Sequence, residues 1–331
     1  MKYNVAIVGA TGKVGRTFLQ ILEKRNFPIK NLYLYASKKS AGKTLRFKNE
    51  NLKVIELNQE NIIDNIDFAF FSAGGDASSK FSPMFAKKNT IVIDNSSTFR
   101  MNNDVPLIVP EVNGKDSLIN NGIIANPNCS TIQAVVALKP LHDKFKIKRI
   151  IYSTYQAVSG AGNYGVLDLN VEDEKNLKKF QYLIKGNLIP QIDLFLDNGY
   201  TKEEMKMINE TKKILKDSSI NVTATCVRVP VENGHSESIN VEFENEINLD
   251  EIFDALKNFN GLSVIDDTKN NSYPMPLYIS GKDDVYVGRI RLDESCKNAI
   301  NMWVVSDNIL KGAALNAVQI AEYIIKNKGE N

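Results

Sequence analysis

The sequence has few of the residues that build metal sites and disulfide frameworks. Its 331 residues include three cysteines, two histidines and one tryptophan. An odd number of cysteines without Cys-x-x-Cys spacing argues against a disulfide framework and a structural zinc site. Two histidines cannot supply a three-histidine metal centre. We therefore predict no metal site, and the cysteine usage indicates a reducing, cytoplasmic location.

The sequence also lacks an excess of either charge. It contains 41 Lys and Arg against 39 Asp and Glu, a formal net charge of +2. This balance argues against sequence-independent binding of nucleic acid or of an anionic membrane surface. The longest apolar runs are too short to span a bilayer, and the N-terminus lacks the apolar core of a signal peptide. Any anionic ligand must then be bound at a local site.

A chain of this length is expected to form roughly two domains, at about 150 residues per domain. Short apolar runs alternate with helix or loop signals in the first part of the chain, which favours an α/β fold with a doubly wound parallel sheet. The predicted strands are Tyr3 to Val8, Leu32 to Ala36, Val54 to Leu57, Phe68 to Ser72, Ile91 to Asp94 and Leu107 to Val109.

The second part of the chain is richer in strand patterns and has fewer helices between them, as in an α+β domain with a mixed or antiparallel sheet. The predicted strands are Ile147 to Gln156, Asn221 to Val231, Glu237 to Glu244 and Val285 to Asp293. An amphipathic helix from about Asn308 closes the chain and is expected to pack on the first domain. We predict a first domain over 1–127, completed by 308–331, and a second over 128–307.

A glycine turn follows the first predicted strand and precedes a helix pattern. Gly9, Gly12 and Gly15 keep backbone N–H groups accessible to a pyrophosphate at the positive end of that helix. An ordinary strand-to-helix turn is the alternative, because a lone glycine triplet is a weak signal. The position of the turn in a strand-turn-helix unit favours dinucleotide binding.

The end of the second predicted strand indicates which dinucleotide binds. An NAD site usually has Asp or Glu there to hold the ribose 2′-hydroxyl, whereas this chain has Ser37, Lys38, Lys39 and Ser40. Hydroxyl and ammonium groups suit a 2′-phosphate, so the sequence favours NADP over NAD. A solvated basic loop is the alternative explanation.

One of the cysteines has the setting of a nucleophile. Cys129 follows the turn-forming Asn126-Pro127-Asn128 and precedes a helix pattern that Ser130 or Thr131 could cap. Helix N-terminal amides favour a thiolate at such a position. The alternative is a small buried hydrophobe, a description that better suits Cys226 and Cys296 in their strand-like surroundings.

A thiol nucleophile needs an acid/base partner, and His235 lies in a similarly polar, glycine-opened segment. His142 lies near a predicted helix end, where a solvated or dipole-compensating role fits better. Arg228 projects from an apolar strand pattern, where a charge is costly unless it faces a partner. A substrate carboxylate would be such a partner, and an internal salt bridge is the alternative.

Several sequence motifs, taken together, resemble those of one known enzyme family. Over nearly its whole length the chain resembles the bacterial-type branch of the aspartate-β-semialdehyde dehydrogenase family. The matching segments are GATGKVG (9–15), FSAGG (71–75), DNSSTFR (94–100), VPEVN (109–113), NPNCST (126–131), TYQAVSGAG (154–162), CVRVP (226–230), GHSES (234–238) and GKDDVYVG (281–288). The glycine turn is shared by many dehydrogenases, but the nine segments in this order are specific.

The resemblance implies reversible, NADP- and phosphate-dependent oxidation of L-aspartate 4-semialdehyde to 4-aspartyl phosphate. It implies that the cell uses the reductive direction, in the biosynthesis of lysine, diaminopimelate, threonine, methionine and isoleucine. It also implies a first domain of the Rossmann type, a second domain for catalysis and dimerisation, and a homodimer or homotetramer.

The same resemblance assigns roles to individual residues. Catalysis is assigned to Cys129 as the acylated nucleophile, His235 as acid/base and Gln156 as the residue that orients the substrate. Substrate binding is assigned to Arg228 (α-carboxylate), Glu210 (amino group) and Asn128. Phosphate binding is assigned to Arg100 and Lys213, although Lys212 is adjacent to Lys213. Cofactor binding is assigned to Gly9, Thr11, Gly12, Lys13, Val14, Ser37, Lys39, Ser40, Ala73, Gly74, Ser159, Gly160 and Asn308.

Other functions share some of these features. N-acetyl-γ-glutamyl-phosphate reductase and relatives of glyceraldehyde-phosphate dehydrogenase also have a cofactor domain and a cysteine at a helix start. A non-catalytic NADP-binding redox sensor, with an oxidised rather than acylated Cys129, is an alternative from another class. The pairing of Arg228 with Glu210 suits a free amino acid and disfavours the first two functions.

Overall fold

The computed structural model describes residues 1–327 and divides them into two compact units. The first unit comprises 1–127 together with the chain from Ala313 onward, and the second comprises Asn128–Gly312. The predicted first domain includes 328–331, which lie outside the described residues. Cofactor binding by the first unit and dimerisation through the second remain predictions.

The strands and helices of both units are as follows. The strands are β1 (Tyr3–Val8), β2 (Ile29–Ala36), β3 (Thr44–Phe47), β4 (Glu50–Glu56), β5 (Phe68–Phe71), β6 (Ile91–Asp94), β7 (Ile123–Ala125), β8 (Ile147–Gln156), β9 (Asn221–Arg228), β10 (His235–Phe243), β11 (Leu262–Val264), β12 (Val285–Leu292) and β13 (Ala299–Ser306). The helices are α1 (Lys13–Lys24), α2 (Gly75–Ala86), α3 (Pro110–Asn113), α4 (Cys129–Phe145), α5 (Asn163–Asp168), α6 (Lys202–Leu215), α7 (Leu249–Lys257), α8 (Pro276–Ile279) and α9 (Leu315–Asn327).

The sheet of the first unit has the order β3-β4-β2-β1-β5-β6-β7. All neighbouring strands are parallel except β3, which pairs antiparallel with β4. The central β1 and β5 are almost fully buried, as expected for a parallel sheet covered on both faces. The sheet order reverses at β1, so the loop after β1 lies where open α/β sheets bind ligands.

The sheet of the second unit has the order β11-β12-β13-β10-β8-β9. The outer pairs β11–β12 and β8–β9 are parallel, and the pairs between them are antiparallel. Helices α4 and α6 pack against each other, and α6 also packs on β9. The two sheets confirm the predicted combination of a Rossmann-like doubly wound domain and an α+β domain with a mixed sheet.

Helix α9 belongs to the first unit. The Asn316 side chain is buried and donates to Ile108 O at 3.0 Å and to Asn126 Oδ1 at 2.7 Å. On the surface, the Arg25 guanidinium makes a two-bond ion pair with Glu322. The helix begins later than predicted, because Asn308 lies in a turn and Leu310–Ala314 form a π-helical turn before α9.

The strand predicted at Leu107 to Val109 is wrong. Leu107 forms only an isolated bridge with Ala125, and Val109 caps the short helix α3. Pro110 stops strand pairing there because it has no N–H to donate and instead suits the first turn of a helix. The strands β3, β7, β11 and β13 were not predicted.

The glycine turn after β1 shows why two of its glycines are required. Gly9 has a φ of +90°, and a Cβ there would lie 2.2 Å from Ser72 O. A Cβ at Gly15 would lie 2.2 Å from Gly9 O, so α1 can approach the turn only without a side chain at this position. Gly12 is different, since a Cβ there would lie 3.4 Å from Gly9 O.

We predict that Gly15→Ala destabilises the first unit by at least about 2 kcal/mol, because backbone atoms would have to move to admit the methyl group. Gly12→Ala is the matched control and should cost less than about 1 kcal/mol, since the space is nearly sufficient and only a cap preference is lost. Thermal unfolding of both variants measures the difference. Equal unfolding midpoints for the two variants would contradict this account of the turn.

Candidate active site

Cys129 is the first residue of helix α4 and is half-buried. The N-cap is Asn128, whose Oδ1 accepts hydrogen bonds from the Ser130 and Thr131 N–H groups at 3.0 and 3.3 Å. The prediction that Ser130 or Thr131 caps this helix is therefore wrong, because both lie inside its first turn. Capping by Asn128 fixes the start of the helix and with it the position of the thiol.

Gly312 packs directly against the start of α4. A Cβ at Gly312 would lie 2.9 Å from Cys129 Cβ and 3.3 Å from Cys129 Cα. Real Cβ atoms essentially never approach this closely, so a side chain at this position would displace the cysteine. The glycine thus contributes to the placement of Cys129.

Three predicted site residues lie at the same end of three neighbouring strands of the second sheet. Gln156 ends β8, Arg228 ends the parallel strand β9 and pairs with Gln156, and His235 begins the antiparallel strand β10. All three side chains are buried. Alternate residues along β8 and β9 are buried, and Gln156 and Arg228 occupy such positions. The register therefore brings together residues that are far apart in the sequence.

The backbone of Ala157 orients two of these side chains. Its N–H donates to His235 Nδ1 at 3.0 Å, and its carbonyl oxygen accepts from Arg228 Nη1 at 2.6 Å. Because Nδ1 is an acceptor, the proton of the neutral imidazole is on Nε2. Nε2 is buried and has no protein acceptor among the described residues. His235 thus presents an N–H donor rather than a lone pair.

His235 is neutral in this environment. Burial lowers its pKa well below the ordinary histidine value, and the positive charge of Arg228 lowers the pKa further. A histidine in a polar, exposed segment would keep an unperturbed pKa near neutrality. The difference arises because complete burial could not be inferred from the polar Gly234-to-Ser238 segment.

Arg228 lies within electrostatic range of both the Cys129 sulfur and a carboxylate. Burial lowers the pKa of Arg228, and the nearby Glu203 carboxylate and Cys129 sulfur act in the opposite direction. Arg228 also lines a cavity of about 400 Å³, together with Gln191 and Asp193. The arginine is therefore a buried cation with access to a cavity large enough for a small ligand.

Glu203 is a site residue that the sequence analysis missed. Its side chain is buried on α6, and Oε1 accepts from Asn128 Nδ2 at 2.8 Å and from Gln156 Nε2 at 3.3 Å. Two adjacent glutamates in a first helical turn usually indicate a solvated helix start. No local pattern distinguishes Glu203 from its neighbour, so only the tertiary structure identifies it.

Glu210 and Lys213 lie farther along the same helix. Glu210 is buried and its Oε2 accepts from the Asn128 N–H at 2.7 Å. Burial lowers the pKa of the half-buried Lys213, while the charge of Glu210 raises it. Glu210 therefore lies at the start of α4, and the roles of both residues toward substrate and phosphate stay predictions.

Three residues predicted to bind the cofactor cluster with His235 in the second unit. Asn308 Oδ1 accepts from the Gly234 N–H at 2.8 Å, and Asn308 Nδ2 donates to Ser159 Oγ at 3.0 Å. A Cβ at Gly160 would lie 3.3 Å from His235 Nε2 and 3.1 Å from Arg228 Nη1. Gly160 thus leaves room beside the imidazole N–H.

The remaining predicted cofactor residues lie in the first unit. The turn with Thr11 and Gly12 leads into α1, which begins with Lys13 and Val14. The first N–H groups of any helix have no acceptor within the helix itself, so they can face a ligand. The segment Ala73-Gly74 adjoins the turn, since the Cβ of a side chain at Gly9 would lie 3.0 Å from Ala73 N.

The segment after β2 forms a short 3₁₀ turn. Ser37 caps it, Lys38–Ser40 form it, and Ser37, Lys38 and Lys39 are exposed. Arg100 is buried in the same unit and donates to Asn126 O at 3.0 Å and Asn95 O at 2.7 Å.

The other cysteines differ from each other. Cys226 is buried and burial raises the pKa of its thiol, as predicted for a core residue. The same prediction is wrong for Cys296, which is half-buried in the turn between β12 and β13. Within residues 1–327 there is no group of three His, Cys, Asp or Glu side chains suited to hold a metal. Every helix in that range is too short or too polar to cross a membrane.

The chain is similar to known proteins along most of its length. The semialdehyde dehydrogenase NAD binding domain model matches residues 4–119, and the semialdehyde dehydrogenase dimerisation domain model matches residues 138–311. Aspartate-semialdehyde dehydrogenase of Aquifex aeolicus (strain VF5) is 55% identical over 98% of this chain and 99% of its own length.

Two solved structures are also similar. Aspartate semialdehyde dehydrogenase II from Vibrio cholerae, complexed with ASA, has 47% sequence identity and a TM-score of 0.94 over 99% of both chains. Aspartate semialdehyde dehydrogenase with NADP from Candida albicans has 27% identity and a TM-score of 0.81 over 99% of both chains.

A further buried carboxyl group lies on β10, two residues after His235. Glu237 is fully buried on β10, opposite Thr154, and neither of its oxygens has a hydrogen-bond partner among the described residues. Burial raises its pKa well above the ordinary value, and nearby Gln133 lowers it by less. Burial of Glu237 therefore favours its protonated form.

The raised pKa of Glu237 predicts a loss of stability with rising pH. Below about pH 4.3, the pKa of an unperturbed glutamate, Glu237 is protonated in both the folded and the unfolded protein. Above that pH it ionises in the unfolded protein first. The free energy of unfolding therefore falls with rising pH until the pH passes the pKa of Glu237 in the folded protein. Glu237→Gln cannot ionise and should remove this loss. Its unfolding midpoint relative to wild type should therefore be higher at about pH 8 than at about pH 5.

The exposed Glu244, changed to Gln, is the control for this comparison and should shift both midpoints alike. The same offset between Glu237→Gln and wild type at both pH values would show that Glu237 is ionised in the folded protein.

Proposed function

This chain belongs to the aspartate-semialdehyde dehydrogenase family of oxidoreductases, and we propose that it interconverts L-aspartate 4-semialdehyde and 4-aspartyl phosphate with NADP and phosphate. The observation that carries the proposal is Cys129 at a capped helix start, in electrostatic range of the buried Arg228. Its cap Asn128 shares the acceptor Glu203 with Gln156. The reductive direction serves synthesis of lysine, diaminopimelate, threonine, methionine and isoleucine.

Cys129 is the proposed nucleophile. Its sulfur attacks C4 of the aldehyde, so a C–S bond forms and the carbonyl π bond becomes an oxyanion. His235 Nε2–H is the donor for this oxygen, because its Nδ1 is held as an acceptor by Ala157. The imidazole can take up a proton at Nε2 only if its own proton lies on Nδ1 instead, and that tautomer requires His235 to release the bond from the Ala157 N–H. We therefore propose that His235 acts first as a hydrogen-bond donor.

NADP, when bound, accepts the hydride that C4 loses as the carbonyl reforms and the thiohemiacetal becomes a thioester. A phosphate oxygen then attacks the thioester carbon, and the Cys129 thiolate leaves as 4-aspartyl phosphate forms. Arg100 and Lys213 are the proposed phosphate ligands, by resemblance. Gln156 is proposed to orient the substrate during both halves of the reaction.

The substrate is a small zwitterion, and the second unit offers buried groups of both charges. We propose that the Arg228 guanidinium binds the α-carboxylate, because it is buried within electrostatic range of Cys129 and lines a cavity. Glu210 is proposed for the amino group and Asn128 for a further contact. Both are already bonded within the protein through Asn128 N–H, so these two roles rest on resemblance.

NADP is the proposed cofactor rather than NAD. The turn after β1 fits a pyrophosphate, since its glycines have no side chains and α1 begins there. The turn after β2 exposes Ser37 and Lys39, with Ser40 half-buried, and has no carboxylate for a ribose hydroxyl. The Candida relative with bound NADP supports this choice. We also propose that Ser159, Gly160 and Asn308 contact the cofactor.

A homodimer or homotetramer is the proposed assembly. The family model over residues 138–311 describes a dimerisation domain. Exposed large apolar side chains concentrate in one segment of this unit, as expected for a surface that a second copy covers: Tyr164, Leu167, Tyr182, Leu188, Leu194 and Phe195. All three cysteines are free thiols, which supports a cytoplasmic location.

We predict that the wild-type protein reduces NADP when given L-aspartate 4-semialdehyde and phosphate, with a clear preference over NAD. Cys129→Ala should lower kcat by at least about a thousandfold, because the nucleophile is lost. Cys296→Ala is the control and should keep nearly full activity, since that thiol lies in a remote turn. Absorbance of NADPH measures all of these rates.

The proposal fails if wild type gives no turnover or if Cys129→Ala is as active as wild type. Equal or better rates with NAD would overturn the cofactor assignment alone. Faster turnover with N-acetylglutamate semialdehyde would identify the alternative reductase.

A further inference from the structure

We propose that Glu237 and Gln133 form a hydrogen-bonded acid–amide pair that links strand β10 to helix α4 and so positions Cys129 relative to His235. In this pair Glu237 is the neutral acid, which donates its O–H to Gln133 Oε1 and accepts from Gln133 Nε2. The positioning role rests on the proposed function, because Cys129 and His235 take their roles from it. The pair itself can be tested without turnover.

Helix α4 runs alongside β10 and in the same direction. A single residue, Lys146, separates the end of α4 from β8, so the chain reverses there, and β8 is antiparallel to β10. The ends of α4 and β10 meet, because the rings of Phe145 and Phe243 lie 5.7 Å apart. The two elements have similar lengths, about 26 Å and about 31 Å. Their first residues, Cys129 and His235, therefore lie at the same end.

Gln133 and Glu237 lie one layer further along these two elements. Gln133 is four residues after Cys129, which is about 6 Å along α4 and on the same face of the helix. Glu237 is two residues after His235, which is about 7 Å along β10 and on the same face of the strand. Both side chains are buried, with exposed fractions of 1% and 0%. They form a polar layer next to the nucleophile and the histidine.

The polar groups of the two side chains complement each other. An amide has one acceptor oxygen and an NH₂ donor, and a protonated carboxyl group has one O–H donor and one carbonyl acceptor. Both oxygens of Glu237 and both polar atoms of Gln133 are buried without a hydrogen-bond partner among the described residues. The amide is close enough to lower the pKa of the carboxyl group. Because buried polar atoms are almost always paired, closing the two groups on each other satisfies all four atoms.

Only the neutral acid can make both bonds. An ionised carboxylate accepts but cannot donate, so it would leave Gln133 Oε1 facing a second acceptor. Burial raises the pKa of Glu237, and the described group that lowers it is the neutral Gln133 amide rather than a cation. A buried anion without a counter-ion is costly. The surroundings thus favour the form that the pair requires.

Infrared spectroscopy tests the pair independently of activity. The difference spectrum between wild type and Glu237→Gln at neutral pH should contain the C=O stretching band of one protonated carboxyl group. Gln133→Leu should move this band to higher frequency, because the carbonyl oxygen loses the amide donor. A carboxylate band for Glu237, or an acid band that Gln133→Leu leaves unmoved, would overturn the pair.

An exchange of the two groups tests the positioning role. Gln133→Leu and Glu237→Leu each remove half of the pair, and each should lower kcat by at least about tenfold, with the KM for the aldehyde changed by less than about threefold. Gln133→Glu combined with Glu237→Gln places an acid and an amide on opposite elements again. This double variant should return kcat to within about threefold of wild type. A double variant no faster than the leucine variants, or wild-type kcat in both leucine variants, contradicts the role.

If the leucine variants do not fold, the exchanged variant is compared with Gln133→Glu alone. That single change brings two carboxyl groups together, and adding Glu237→Gln should raise kcat by at least about fivefold, because an acid–amide pair is restored. No gain in kcat would count against the positioning role.

Phe145→Leu is the matched control, since Phe145 links the same helix and strand at the end away from Cys129. It should lower the unfolding midpoint and leave kcat within about threefold of wild type. A tenfold loss of kcat in this variant would show that any loosened contact between α4 and β10 has the same effect, which rules out a specific role for the pair.

These outcomes remain distinct from failure of the proposed function. Absence of wild-type turnover counts against the proposed reaction, and the infrared test of the pair is unaffected by it. Normal wild-type turnover combined with unchanged kcat in both leucine variants counts against the positioning role alone.

Discussion

The capped start of helix α4 is the constraint on which the rest of the site depends. Asn128 has every polar group of its side chain and its N–H engaged: Oδ1 with two helix amides, Nδ2 with Glu203, and N–H with Glu210. The next residue is Cys129, which Gly312 contacts from the other side. Because the helix start is fixed by directional bonds, the backbone of Cys129 is held in place.

The sheet edge supplies groups whose charges are set by burial and by their partners. One peptide unit after β8 holds a neutral His235 through its N–H, and the Ala157 carbonyl holds the cation Arg228. Glu203 stays anionic beside Lys206 and Arg228. A neutral donor, a cation and an anion grouped around Arg228 suit a zwitterionic aldehyde whose oxygen becomes negative during the reaction.

The parts that could be predicted from the sequence are those with local signals. The run Tyr3–Val8, the glycine turn and Ile147–Gln156 carry such signals, as do Cys129, His235 and Arg228 through their unusual settings. The three-residue strands β7 and β11 are too short to show a period, and pairing with distant strands stabilises them. The roles of Asn128 and Glu203 depend on contacts between α4, α6 and β8, which no local pattern encodes.

Cys129 is the proposed carrier of the acyl group, and mass spectrometry tests this role most directly. The protein is mixed with L-aspartate 4-semialdehyde and NADP without phosphate, quenched in acid and digested. The account predicts an aspartyl thioester on the peptide with Cys129, formed together with one NADPH per site and lost when phosphate is added before the quench. NADPH formation without that adduct, or an adduct on Cys226 or Cys296, would contradict it.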